Sequence, residues 1–312
     1  MFTAKRHLST WVVVLAVWGL WGAYPGTAET IGYWRFEEGT IGGSISNSTD
    51  YGPNGYDLTA VNTNNLDYVS SLIPVVPLTG QTNNIAMNFK SNGRYVRSTP
   101  AADFYQNTAF TIEGWFNNAD GPGGNDDTGV LVSQWNTGQN STEWEWRIRL
   151  DSETPYFHLG EDDIGDGSSI VERSVSFDTF LSSLSTPTID DKDLFVAAVF
   201  EDDPTSSGNA TITWYGREHL GGGTQGPWIT ETDVIPDFNV LYDASVDFLL
   251  SEARNAAAAA RFEGRMDEWR YSSVALTQEE LLAAPEPTTA FLGALAAAAL
   301  LAMRPSRKKA IC

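Results

Sequence analysis

The clearest alternation of apolar and polar positions runs from Trp144 to Asp151. Trp144, Trp146, Ile148 and Leu150 share one face of an extended chain, and Glu143, Glu145, Arg147, Arg149 and Asp151 share the other. A period of two is the pattern of a strand with one face in a core, so the charged face is expected to be a solvent-side ladder. Residues 110–116 also alternate, but with side chains worth burying on both faces. Phe110, Ile112, Gly114 and Phe116 oppose Thr111, Glu113 and Trp115. Residues 195–200, FVAAVF, are apolar throughout, as in a strand covered on both sides. Further strands are expected at 31–36, 56–61, 86–90, 94–97, 129–135, 156–159, 211–215, 248–251 and 262–271. Asn92-Gly93, between two of these runs, predicts a tight hairpin. Pro74 and Pro77 make residues 72–80 an irregular link. Thr277 and Glu280 form a capping box with Leu276 and Leu281 placed as a staple, which predicts a short helix over 278–284.

The two ends depart from this pattern. Lys5 and Arg6 precede a mostly apolar stretch, Pro25 breaks it, and Gly26-Thr27-Ala28 supplies small residues. This reads as a signal peptide, residues 1–28, cut after Ala28. An uncleaved anchor is the alternative, disfavoured because a spanning helix needs roughly 20 apolar residues. At the other end Pro285-Glu286-Pro287 is followed by an Ala/Leu run over 290–303 and by Arg304, Arg307, Lys308 and Lys309. Two prolines halt any helix before them. The apolar run then enters a bilayer and the basic cluster stays on its cytoplasmic side. An amphipathic or core helix would need a polar face, which this run does not have.

Charge sharpens the picture. The chain of 312 residues holds 19 Lys+Arg and 40 Asp+Glu, a formal net charge of −21. The body at 29–284 carries 13 basic and 39 acidic residues, a net of −26. Such acidity argues against a nucleic-acid partner and suits an exported protein. Its one cysteine, Cys312, permits no internal disulfide, so stability must come from a large core, for which 11 Trp and 15 Phe are available.

Chemistry is harder to find. His7, His158 and His219 make no metal constellation, and no G-x-S-x-G elbow is present. A retaining glycosidase needs two carboxyl groups about 5 Å apart. Glu143 and Glu145 are the nearest candidates on one strand face, but Arg147 and Arg149 continue that face as a charged ladder.

Several segments resemble laminin-G-like, concanavalin A-like domains. They are Y-W-x-F-E-E-G with D-x-G-x-N-G at the start, F-T-I-E-G-W from Phe110, F-E-G-R-M-D-E-W-R-Y from Phe262, and A-L-T-Q-E-E-L from Ala275. The resemblance implies one domain at 29–284, an all-β, two-sheet antiparallel jelly-roll sandwich whose first two runs form a hairpin. It places the Ala256–Ala260 run in a loop despite its helical propensity. It also implies a calcium ion at the sandwich rim, with Asp120, Asp126, Asp127, Asp162, Asp163 and Asp166 as candidate ligands, against the reading of these as solvated acidic loops. Enzymes on this fold carry a run resembling E-x-D-x-x-E, which this chain does not show. The tail at 285–312 is similar to a PEP-CTERM sorting signal, with Pro285, Glu286 and Pro287 at the motif. That likeness implies processing by exosortase after transient membrane insertion. It also implies display on the surface or in the extracellular matrix of a Gram-negative bacterium that makes exopolysaccharide. The expectation is an exported, non-enzymatic protein that binds polysaccharide or a surface protein. A glycan hydrolase and a ligand-free matrix protein are the alternatives.

Overall fold

The strand at Ala109–Asn117 (β6) lies at the middle of the molecule, and its two-sided burial follows from its neighbours. It pairs with β11 (Asp193–Asp203) on one edge and β15 (Gly264–Ser272) on the other. The sheet continues outward through β12 (Asn209–His219) and β13 (Ile229–Pro236), and on the other side through β4 (Ile85–Phe89) and β3 (Leu66–Ser70). β1 (Thr30–Trp34) also pairs with β15, making eight strands. A second sheet of seven strands runs in the order β10 (Ile170–Ser176), β9 (Thr154–Asp162), β8 (Trp144–Asp151), β7 (Gly129–Trp135), β14 (Phe248–Leu250), β5 (Arg94–Arg97), β2 (Thr59–Val61). All these ladders are antiparallel, as the all-β sandwich reading expects. The computed structural model describes residues 30–284 except 91–92, 98–103, 105, 107, 119–128, 136–143, 163–169, 204–207, 242–246 and 253–260. The expected signal peptide, the Ala256–Ala260 run and the sorting signal lie outside the described residues. No described helix is long and apolar enough to cross a membrane.

Between the sheets lies an aromatic core. Phe110 stacks with Phe200 and Tyr271, and Trp146 stacks on Tyr271 at 5.5 Å between ring centroids. Trp34, Phe104 and Phe248 form an adjoining cluster. Gly114 lets the Trp269 indole approach so closely that a Cβ there would sit 2.3 Å from the ring. That is a packing reason for glycine in the middle of a strand, where it otherwise costs about 0.5–1 kcal/mol.

Four local expectations change. The runs flanking Asn92-Gly93 are not a hairpin: β4 belongs to the eight-stranded sheet and β5 to the seven-stranded one. Gly93 marks a crossing between sheets, where a Cβ would meet the Asn65 carbonyl at 2.3 Å. The first two runs likewise separate, β1 to one sheet and β2 to the other, with the bridges Trp34–Asp50 and Ser48–Leu58 between them. The capping box at Thr277 and Glu280 forms, but it starts only a 3-10 turn at Gln278–Glu280. Leu281, Leu282, Ala283 and Ala284 are all buried, so burial of an apolar run wins over helix continuation. Finally, the charged face of β8 is not a solvent ladder, since Glu145 is fully buried and Arg147 only 9% exposed.

The outer face of the eight-stranded sheet is sealed by two straps. One is the irregular segment holding Leu72, Ile73 and Val76, and the other holds Leu276, Leu281, Leu282 and Ala283; together they cover Trp115, Phe195 and Ala197. Polar side chains rising from the sheet tie them down. Glu113 Oε1 accepts a 2.6 Å bond from Arg270 Nε, and its Oε2 accepts one from the Leu282 amide at 2.7 Å. Asp267 Oδ2 accepts from the Leu72 amide at 2.9 Å and from Asn83 Nδ2 at 2.8 Å. Arg270 donates to the Glu280 carbonyl and Arg217 to the Ala283 carbonyl. Leu78 N–H donates to Leu282 O, linking strap to strap.

Candidate functional site

The outer face of the seven-stranded sheet offers a different surface. Cross-strand register builds it in rows. Ser176, Tyr156 and Arg149 stand side by side on β10, β9 and β8, with Val130 of β7 next to Arg149. In the next row are Ser174, His158, Arg147 and Ser133. Beyond it Glu172 is opposite Gly160, which contributes no side chain. Because strand residues two apart share a face, these rows form one surface. Tyr156, His158 and Arg149 are half-buried, Glu172 and Ser174 are exposed, and Trp135, Ser133 and Arg147 form a buried floor.

A charged cluster fixes the second row. His158 Nδ1 donates a 2.5 Å hydrogen bond to Glu172 Oε1. Arg147 Nη2 donates to the same oxygen at 3.2 Å and lies 3.4 Å from the imidazole nitrogen. The Arg147 guanidinium lies 4.4 Å from the Trp135 ring centre, a cation–π contact, and His158 meets Trp135 edge-on at 6.2 Å. Tyr156 lies 6.1 Å from His158.

The titration tendencies follow from these contacts. The His158 bond, helped by Arg147, holds the Glu172 carboxyl below its usual range. Burial pushes the His158 imidazole down, so it is neutral at physiological pH. Burial also pushes Arg147 down to about 10, only partly opposed by Glu172. Arg147 Nε is buried and has no hydrogen-bond partner among the described residues.

Most sequence-predicted site residues are not brought here. Asp120, Asp126, Asp127, Asp163 and Asp166 lie outside the described residues, as do Glu143, Ala28, Pro285, Glu286 and Pro287. Asp162 ends β9 in backbone, and its side chain is not among those described. Among the described residues no group of three or more His, Cys, Asp or Glu is placed to hold a metal ion. Glu145 shares the strand face of Arg147 and Arg149 but is fully buried there. The cluster at Tyr156, His158 and Glu172 was missed. Its one signal in the sequence was alternation: Tyr156 and His158 share a parity on a strand whose other parity, Phe157 and Leu159, is core. Glu172 becomes their neighbour only through strand pairing.

A second recess of about 370 Å³ lies on the opposite sheet beside the C-terminal strap. Glu201, Tyr215, Thr213, Thr230 and Glu279 line it. Its carboxylates are unpaired with any described cation, and it lacks the fixed cluster of the first face.

No family model matches this chain. No curated protein matches it either. Among solved structures it is similar to the binding domain of Paraclostridial Mosquitocidal Protein 1, at 12% identity and a TM-score of 0.48, covering 82% of this chain and 51% of that one. It is also similar to the botulinum neurotoxin serotype G binding domain, at 12% identity and a TM-score of 0.49, covering 81% and 50%. A third is the Ruminococcus gnavus IT-sialidase CBM40 bound to alpha2,3 sialyllactose, at 12% identity and a TM-score of 0.39, covering 60% and 91%. The chain spans about half the length of the first two. At this level the likeness carries no argument about function; the ladders themselves make the chain an all-β, two-sheet antiparallel sandwich.

Proposed function

We propose that the chain is an exported, non-catalytic glycan-binding protein whose site is the outer face of the seven-stranded sheet. The observation that supports it is the row arrangement of Tyr156, His158, Arg149, Ser174 and Ser176: a half-open aromatic and polar surface on rigid strands, backed by a buried floor. Sugar rings bind where an aromatic face and several fixed polar groups converge. Glu172, the exposed carboxylate here, is held ionised by His158 and Arg147, the wrong direction for a general acid that must donate to a glycosidic oxygen. That favours recognition over hydrolysis.

The partner would be exopolysaccharide or a glycosylated surface protein. Export would use the signal peptide at 1–28. Exosortase would act at Pro285, Glu286 and Pro287, leaving the body at the surface or in the matrix of a Gram-negative host. A glycan panel screened with the wild type and Tyr156→Ala tests the binding reading. Saturable binding lost in the variant supports it; no binding to any glycan rejects it. Intact mass of the protein recovered from its host tests the sorting reading, which fails if Cys312 is retained.

A further inference from the structure

We infer that the recess beside the C-terminal strap is a second binding site, and that its ligand is an amino sugar carrying a free ammonium group. This site lies on the opposite sheet from the glycan-binding face proposed above and shares no residue with it. Three observations on the recess point the same way.

The first is a rigid frame. Cross-strand register sets Ala197, Tyr215 and Thr230 side by side on β11, β12 and β13, and then Val199, Thr213 and Thr232. Glu201 and Thr211 follow in the next row. The strap at residues 275–279 stands beside these rows as a wall. Thr111 pins it, its Oγ1 donating to the Val274 carbonyl at 2.8 Å and accepting from the Leu276 amide at 2.9 Å. Trp228 meets the half-buried Tyr215 ring at 82°, with 6.2 Å between centroids, and so steadies the phenol. The volume of about 370 Å³ is of the size that takes a small ligand.

The second is charge. Glu201 and Glu279 line the recess, both are exposed, and neither makes a hydrogen bond or ion pair among the described residues. The neighbouring Glu280 carboxylate is instead taken up by the capping box. No described Arg, Lys or His lines the recess. Burial, then the charges of Glu279 and Glu201, raises the Tyr215 phenol, so both carboxylates act on one hydroxyl. An ammonium is drawn to paired carboxylates and to the electron-rich face of a phenol. A calcium ion would need more oxygen ligands than two carboxylates supply. The third is the rest of the lining. Thr213, Thr230, Thr277 and Gln278 offer hydroxyls and an amide beside the apolar Val199 and Leu276. Such a mixture matches the hydroxyls and ring of a sugar, where the bare chain of a polyamine would leave the polar groups unused.

The test titrates the full chain, by calorimetry at fixed ionic strength, with a glucosamine trimer and with the same trimer N-acetylated, which removes the charge and keeps the rings. The amine form is expected to bind at least about tenfold tighter, the worth of one hydrogen bond to a charged group. The double variant Glu201→Gln, Glu279→Gln should bring the amine down to the affinity of the acetylated trimer. Because the whole chain is anionic, at −21, loose attraction has to be told from a site. Asp178→Asn with Asp191→Asn removes two exposed carboxylates that do not line the recess, and should leave the preference intact. Equal binding of the two trimers, no binding of either, or the same response in both double variants overturns the inference. Spermidine bound through Glu201 and Glu279 as tightly as the trimer overturns the sugar as the ligand class. The glycan-binding face of the seven-stranded sheet is tested separately, by the panel with Tyr156→Ala, and none of these outcomes decides it.

Discussion

The two outer faces of the sandwich are built from the same alphabet and reach opposite results. On the eight-stranded sheet, Glu113, Asp267 and Arg270 are covered by straps, and each accepts or donates to a strap backbone group. On the seven-stranded sheet, Arg147, His158 and Glu172 bond one another, with Arg147 buried, His158 half-buried and Glu172 exposed. The first face spends its charges on closing the body. The second pairs its charges with one another across three strands. The residues that carried the family resemblance, the D-E-W-R of β15, belong to the closed face. Asp267 and Arg270 anchor straps, and Trp269 packs against Gly114 in the core. These residues of β15 therefore report how the sandwich is shut, not what it binds.

That contrast can be broken by substitution. Arg270→Ala should have the largest effect, because it leaves Glu113 buried without its ion-pair partner. A loss of about 3–5 kcal/mol in urea unfolding is expected. A loss under about 1 kcal/mol would mean that the strap contacts are incidental.

Next in size is a pH effect. Full burial, then the neighbouring charge of Glu268, pushes the Asp267 carboxyl well above its ordinary range, and burial pushes Glu268 up to about 7. For an acid whose folded pKa is raised, the folded state holds the proton more tightly. Stability is then complete below the unfolded value and is lost as pH rises through the folded value. The unfolding midpoint should fall between about pH 5 and pH 8. Asp267→Asn keeps an acceptor for the Leu72 amide and should flatten that slope, gaining about 1–2 kcal/mol at pH 8. A steeper slope in the variant would contradict this.

Smaller still, Glu280→Ala removes the capping box, whose carboxylate accepts from the Thr277 amide and hydroxyl, both at 2.9 Å. It should cost about 1 kcal/mol and be seen first as faster hydrogen exchange in the C-terminal strap. Tyr156→Ala on the open face should change stability by less than about 0.5 kcal/mol while abolishing glycan binding. If it unfolds the protein instead, the two faces are not the contrast described.

Much of the fold was legible because period-two patterns survive in sequence. β7 matches residues 129–135, and the FVAAVF run became β11 with β12 as its hairpin partner. The two faces of β6 separated as read, with Phe110 and Ile112 between the sheets and Trp115 under the straps. What failed was sheet membership. Asn92-Gly93 carries hairpin chemistry, yet hairpin chemistry permits a turn without saying which sheet follows it. The site was hidden for a related reason. Arg147 belongs to a ladder in sequence, but its burial depends on Trp135, and its charge depends on Glu172, 25 residues away. Neither partner can be assigned before the strands are paired.

The C-terminal strap has a mechanical consequence. The chain leaves the described body at Ala284, on the back of the eight-stranded sheet, with the candidate site on the far side of two layers about 10 Å apart. A tension applied from that end would first load the bonds from Leu282 to Glu113, Leu282 to Leu78 and Ala283 to Arg217. These few bonds would peel in sequence before any strand ladder is sheared. The strap is thus a fuse in the load path, and in single-molecule pulling it should give a short early extension before the rupture of the sandwich.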